Sequence, residues 1–183
     1  MKKALALLMA ATITATAFAG CGDKKEKKEA TDGGKAVVQD YIDGYTSKDG
    51  AKKYYTATFL GSTIKQLKKD DDWDDMIDDW NDSMEDTLED YKFKVKSIEK
   101  TDKLDDDALE AAENYFQQQA DRYDVDDDIK VKGGAEYKVK IQVTEDDGDK
   151  ETNTQKLCAV EVKGDGWKVI TLEAEDLVDY YGD

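Results

Sequence analysis

From residue 35 onward the chain moves between two rhythms of apolar residues. Val37, Val38, Tyr41, Ile42 and Tyr45 recur at three- and four-residue spacing and predict a helix over 35–47. Thr31 or Asp32 stands where its cap belongs. Lys48-Asp49-Gly50 breaks it. A short helix over 51–59 follows, with Tyr54, Tyr55 and Phe59 inward, and Gly61-Ser62 breaks again before a short helical piece carrying Ile64 and Leu67. Over 70–90 there are twelve acids and no bases, yet Trp73, Met76, Ile77, Trp80, Met84 and Leu88 form one apolar stripe at helical spacing. Asp is a poor helix former, so packing of Trp73 and Trp80 must hold this helix.

At Tyr91 the period changes to two. Tyr91, Phe93 and Val95 face one way; Lys92, Lys94 and Lys96 face the other. This predicts a half-buried strand running to Lys100, with a shift of parity near Ser97-Ile98. Residues 105–123 return to helical spacing, with Leu109, Ala112, Tyr115, Phe116 and Ala120 inward and Asp105 or Asp106 as cap. Residues 124–128 read as an acidic loop. Tyr137, Val139, Ile141 and Val143 alternate with Lys138, Lys140 and Gln142 as a second strand. The run 145–150 is a hairpin turn, 151–163 its return strand, Gly164-Asp165-Gly166 a second turn and 167–172 the last strand. A short helix over 176–181 closes the chain. The expected class is α+β, with N-terminal helices packed on an antiparallel sheet.

The first 34 residues obey neither rhythm. Met1-Lys2-Lys3, an apolar run from Ala4 to Ala17, and Phe18-Ala19-Gly20-Cys21 resemble a bacterial lipoprotein signal with its lipobox. The run is too short and too rich in Ala and Thr for a good membrane span. The resemblance implies cleavage before Cys21, acylation of its sulfur (palmitate and related chains) and an extracytoplasmic protein held to the cell membrane by lipid. Phe18 stands where the lipobox usually has leucine. In the rival reading Ala17-Phe18-Ala19 is an ordinary cleavage site and the product is secreted free. Residues 22–34 hold no large apolar side chain and cannot build a core. The layout is therefore a signal peptide over 1–20, a flexible tether over 21–34, one domain over 35–172 and a C-terminal tail over 173–183.

Composition narrows the chemistry. The chain has 44 acids and 27 bases, a net charge of −17, and neither histidine nor proline. Removing 1–20 takes away Lys2 and Lys3 and leaves 44 acids against 25 bases, a side-chain charge of −19. Such a surface repels nucleic acid. The absence of histidine excludes His-based triads, His zinc sites and the usual pH switch. Of two cysteines, if Cys21 is the lipid anchor as the resemblance implies, Cys158 has no partner in the chain and, lying in an apolar stretch, reads as a buried free thiol; a free secreted form could join the two in a disulfide.

A third set of features carries a family resemblance: the helix with Val37-Val38-Gln39-Asp40-Tyr41 and its short successor around Lys52-Lys53-Tyr54-Tyr55; the strand Tyr91-Lys92-Phe93-Lys94-Val95 leading into an acidic helix; and the closing hairpin with Gly164-Asp165-Gly166-Trp167-Lys168-Val169-Ile170. Over residues 35–172 the chain looks like the NTF2-like (cystatin-like) domains of small Firmicutes lipoproteins. The resemblance implies a curved antiparallel sheet wrapped on a long helix, leaving a cone-shaped pocket. Enzymatic members of that family place Asp and Tyr in the cone; no enzymatic motif maps onto this sequence. Tyr41, Tyr45, Tyr115 and Tyr137 are the tyrosines that could line such a pocket.

The remaining candidates are weak. Asp124, Asp126 and Asp128 match the first three acids of an EF-hand, but Ile129 and Ala135 occupy the glycine and glutamate positions. Asp146, Asp147 and Asp149 read as turn residues. With 44 acids, two neighbouring carboxylates say nothing about glycosidase chemistry. Ser47, Ser62, Ser83 and Ser97 sit in no nucleophile elbow. No catalytic residue, cofactor or metal ligand is therefore expected. Lys92, Lys94, Lys96, Lys138 and Lys140 predict a basic sheet face on an acidic body, which serves either solubility and edge protection or docking on anionic wall polymer or lipid headgroups. The expected role is a non-catalytic binding module at the membrane, with acylated Cys21 in the lipid and an anionic wall polymer or another envelope protein as partner. A cone-pocket ligand binder or enzyme, and a purely structural envelope lipoprotein, are the alternatives.

Overall fold

The computed structural model describes residues 32–182. Cys21, the signal and most of the tether lie outside the described residues. The elements run α1 (Gly33–Tyr45), α2 (Ala51–Thr58), α3 (Gly61–Lys69), α4 (Asp72–Asp90), β1 (Tyr91–Lys103), α5 (Asp106–Arg122), β2 (Val131–Glu145), β3 (Lys150–Val162), β4 (Gly166–Ile170) and α6 (Ala174–Tyr181). The class is α+β: six helices and one antiparallel sheet of four strands in the order β1-β2-β3-β4.

The expected elements are present, with shifted ends. α1 starts two residues before Lys35, because the Asp32 carboxylate accepts the Gly34 N–H and caps it. The break after α2 falls at Phe59-Leu60, so Gly61 and Ser62 open α3. Asp71 stands in the left-handed region at φ 64° between α3 and α4, a place usually given to glycine and tolerated by Asp. β1 extends to Lys103. The parity shift near Ser97 is a bulge: Val95 pairs Ile141 and Ser97 pairs Lys140, which leaves Lys96 unopposed. A second bulge leaves Thr101 unopposed. β2 begins at Val131, six residues before the alternating run read from Tyr137.

Helices cover both faces of the sheet over part of its length. On one face Ala135, Tyr137, Val139, Ile141, Leu157, Ala159 and Val169 pack on Val38, Tyr41 and Ile42 of α1. On the other, Cys158, Val160, Val162 and Ile170 pack on Ala108, Ala111, Ala112, Phe116 and Ala120 of α5 and on Leu177 of α6. The C-terminal residues expected as a tail thus add a helix to the core. Small residues on α5 let its backbone sit close to the sheet, and Phe116 fills the gap; burying a ring of that size contributes on the order of 2–3 kcal/mol. The far halves of β1, β2 and β3 keep helices on the α1 face only.

Helices α2 and α3 lack caps of their own. Distant side chains supply them. Asn81 of α4 accepts the Ala51 N–H at 3.2 Å, and both Asp165 carboxylate oxygens accept the Gly61 N–H at 3.0 and 2.9 Å. Gln119 of α5 spans the joint between the two helices, donating to the Thr58 carbonyl and accepting from Leu60. The acidic α4 is held as its stripe predicts. Trp80 stacks on Tyr54 with centroids 4.0 Å apart, and Trp73 and Trp80 both meet Tyr55.

Candidate functional site

The α1 face of the sheet is where a cone pocket would lie, and it is filled. Tyr137, at the centre of β2, is fully buried and donates its hydroxyl to Asp32 Oδ1 at 2.8 Å. Asp32 and Tyr137 thus form an Asp–Tyr pair on this face. Its geometry is that of a lock: Asp32 is exposed, and the same oxygen caps α1. Burial first, then the Asp32 carboxylate, push the Tyr137 hydroxyl well above its ordinary value, so it stays a donor. Gly33 and Gly34 lie against Trp167 and the Tyr137 hydroxyl, with no room for a Cβ at either. Trp167, Phe93 and Val95 close the cluster from its rim.

Of the four tyrosines expected around a pocket, Tyr41, Tyr45 and Tyr137 fall on this face and Tyr115 does not. Tyr115 packs on Phe116 and Tyr181 at the α5–α6 contact. Tyr41 and Tyr45 belong to a run of ring contacts through Tyr54, Tyr55 and Trp80 that ties α1, α2 and α4 together. Burial raises the hydroxyls of Tyr54 and Tyr115 to about 12 and that of Tyr41 further.

The opposite face of the sheet has two halves. Where α5 and α6 end, Glu136 is buried at 4% exposure. Its carboxylate accepts the Thr101 hydroxyl at 2.9 Å, the Ala174 N–H at 3.2 Å and the Lys156 ammonium at 3.2 Å. Burial raises its pKa, but these donors, led by Ala174, more than offset that, and the net position is below its ordinary 4.5. Beyond Glu136 the face is open. Alternation and register place Lys138 and Lys140 of β2, Lys92 and Lys94 of β1 and Lys150 of β3 there, with Lys96 exposed at the bulge. None of these six has a carboxylate within ion-pair distance among the described residues. Glu99 is the acid that register places among them. Lys150 and Glu136 are the two residues that the sequence reading did not single out.

The other candidates take structural roles. Cys158 is fully buried and free; burial, then Glu136 and Glu173, push its thiol up to about 12. Asp128 pairs with Lys130, while Asp124 and Asp126 line an open depression of about 480 Å³ beside α3. No group of three or more metal-binding side chains gathers among the described residues. Asp147 Oδ1 accepts the Asp149 N–H in the β2–β3 turn, as a turn residue does. No described helix is long and apolar enough to cross a membrane. Compared with models of known families, with curated proteins and with solved structures, the chain matches none.

Proposed function

We propose that this protein is a lipid-anchored extracytoplasmic lipoprotein whose domain is an NTF2-like (cystatin-like) cone acting as a non-catalytic binding module. The signal layout ending at Cys21 and the coreless segment after it support the anchor. An antiparallel meander with α1 packed on one face, and α5 inserted in the chain between its first two strands, supports the family reading. One observation carries the choice of a binding module over an enzyme. The side of the sheet where a cone would open is packed by Tyr137, Val139, Leu157 and α1, and its Asp–Tyr pair is spent on capping a helix. Recognition then belongs to the outer surface.

Two measurements test this. Mass spectrometry of the native protein shows Cys21 as an acylated N-terminus; an unmodified protein in the medium removes the anchor. A thermal-shift screen of small apolar and acidic compounds leaves the melting temperature unchanged, since a ligand confined to the native state would raise it. A compound that raises it, and loses its effect in Tyr137→Phe, returns the reading to a cone-pocket binder.

A further inference from the structure

We propose that the open half of the sheet, carrying Lys92, Lys94, Lys96, Lys138, Lys140 and Lys150, is a docking surface for the phosphate headgroups of an anionic lipid bilayer. The proposal rests on the lipid-anchor reading for its choice of occupant.

Three observations support it. The first is the charge pattern of the face. In register the lysines occupy four successive cross-strand rows, a stretch of about 20 Å along strands that rise about 3.3 Å per residue. The positions between them are Ser97, Gln142, Thr144, Thr152 and Thr154, whose amide and hydroxyl groups also donate to phosphate oxygens, with Glu99 as the acid and Lys156 as a further base in the row of Lys138. Six unpaired ammonium groups in a chain of net charge −17 make a local inversion of sign. Clusters of four to eight lysines are what anionic lipid surfaces attract.

The second is shape. The face is a sheet surface with no helix over it, so its ammonium groups can meet a plane together. Long lysine stems reach from it while their methylenes lie along the strands.

The third is the length of chain before the structure and where it ends. Asp32 follows Cys21 by eleven residues, a length of chain that spans at most about 40 Å. That segment joins the fold at Tyr137 and Trp167, on the helical side of the sheet. A sheet and its side chains are about 10 Å deep, so the reach suffices to bring the opposite, lysine-bearing side down to the headgroups. The twelve acids of 70–90 lie in the helical layer, through Trp80 and Tyr54, so the same field that draws the lysines turns α4 away from the surface.

The test uses residues 21–183 with Cys21→Ser, so that no acyl chain contributes. Cosedimentation is measured with vesicles of phosphatidylcholine alone and with about one-third phosphatidylglycerol, at low and high salt. The protein is expected to bind the anionic vesicles only, and to leave them as salt rises. The triple variant Lys92→Gln, Lys94→Gln, Lys140→Gln is expected to lower partitioning at least tenfold, at about fivefold per lysine less some compensation. The triple Lys52→Gln, Lys65→Gln, Lys69→Gln makes the same charge change on exposed helical positions and is expected to change it less than about twofold. Circular dichroism of both variants checks that the fold is kept. Absence of binding, or equal loss in both triples, overturns the proposal. Displacement from vesicles by a soluble polyglycerol phosphate that binds the same lysines more tightly overturns it in favour of a wall polymer. Since Cys21 is absent here, failure leaves the acylation question to the mass of the native N-terminus.

Discussion

Lys168 Nζ lies 3.3 Å from Asp165 Oδ2, and the pair joins two helix ends of opposite polarity. Lys168 also donates to the Thr56 carbonyl in the last turn of α2, at 2.9 Å, while Asp165 accepts from the first residue of α3. A cation at a C-terminus and an anion at an N-terminus each suit the helix dipole. The lysine side chain is only 6% exposed. Breaking a buried pair leaves an uncompensated charge, so Lys168→Met should cost about 2–4 kcal/mol in denaturant unfolding. Asp165→Asn, which keeps an acceptor for Gly61, should cost less than Asp165→Ala. Equal losses in the two Asp165 variants would show that the cap contributes nothing.

Gly34 sets a test in which propensity and packing oppose each other. In an open helix Gly→Ala stabilises by about 0.5–1 kcal/mol. Here the new methyl runs into the Tyr137 hydroxyl. Gly34→Ala should therefore destabilise by roughly 1–3 kcal/mol, and Tyr137→Phe by about 1 kcal/mol through the lost bond to Asp32. In the double variant Gly34→Ala, Tyr137→Phe the two costs should be less than additive, because the obstructing oxygen is gone.

Glu136 makes stability depend on acid. Its folded pKa is depressed, so its contribution is present above its ordinary value of 4.5 and is lost as pH falls through the folded one. Unfolding free energy should drop over that window in the native protein. Glu136→Gln should flatten this part of the profile.

The buried tyrosines act at the other end of the scale. Tyr54 and Tyr115 are raised to about 12 and Tyr41 and Tyr137 are raised as well. A raised folded pKa contributes stability that is full below the ordinary value of 10 and is lost as pH climbs through the folded one. Phenolate absorbance should therefore appear late and together with unfolding between about pH 10 and 12.

Cys158 should be silent to thiol reagents in the native state and react at once in denaturant, because only the thiolate attacks and burial holds the thiol at about 12. Native-state reaction at the unfolded rate would place the sulfur at the surface.

Much of this architecture could be read from side-chain rhythm alone. The two-residue alternation from Tyr91 and from Tyr137 put the right lysines on one face, because the pleat has a fixed period. The parity slip at Ser97 announced the bulge at Lys96. The stripe from Trp73 to Leu88 finds α4 despite its ten acids, since burial of two indoles outweighs poor propensity. What escaped were contacts between residues far apart in sequence. Nothing near Leu60 says that Asp165 caps the next helix, and nothing near Asp32 says that Tyr137 reaches it. Glu136 lies just before the alternating run that starts at Tyr137 and carries no mark of burial there; its burial depends on Ala174 and Thr101 arriving from elsewhere. Alternation becomes clear only at Tyr137, so the first six residues of strand β2 do not show in the sequence pattern. Gly134 is instead where Leu104 and Val160 press close to the backbone.

The two bulges in β1 have a bearing on how copies of this molecule behave when crowded. β1 is the outermost strand on its side, and an outer strand offers bare amides and carbonyls to any neighbour. Thirteen residues of ribbon would be an ample template. Irregularities at Lys96 and Thr101 interrupt its ladder into pieces too short to recruit a passing strand, and the ammonium groups beside them repel a second copy approaching edge-on. Copies brought together at high concentration can thus jostle without zipping into fibres.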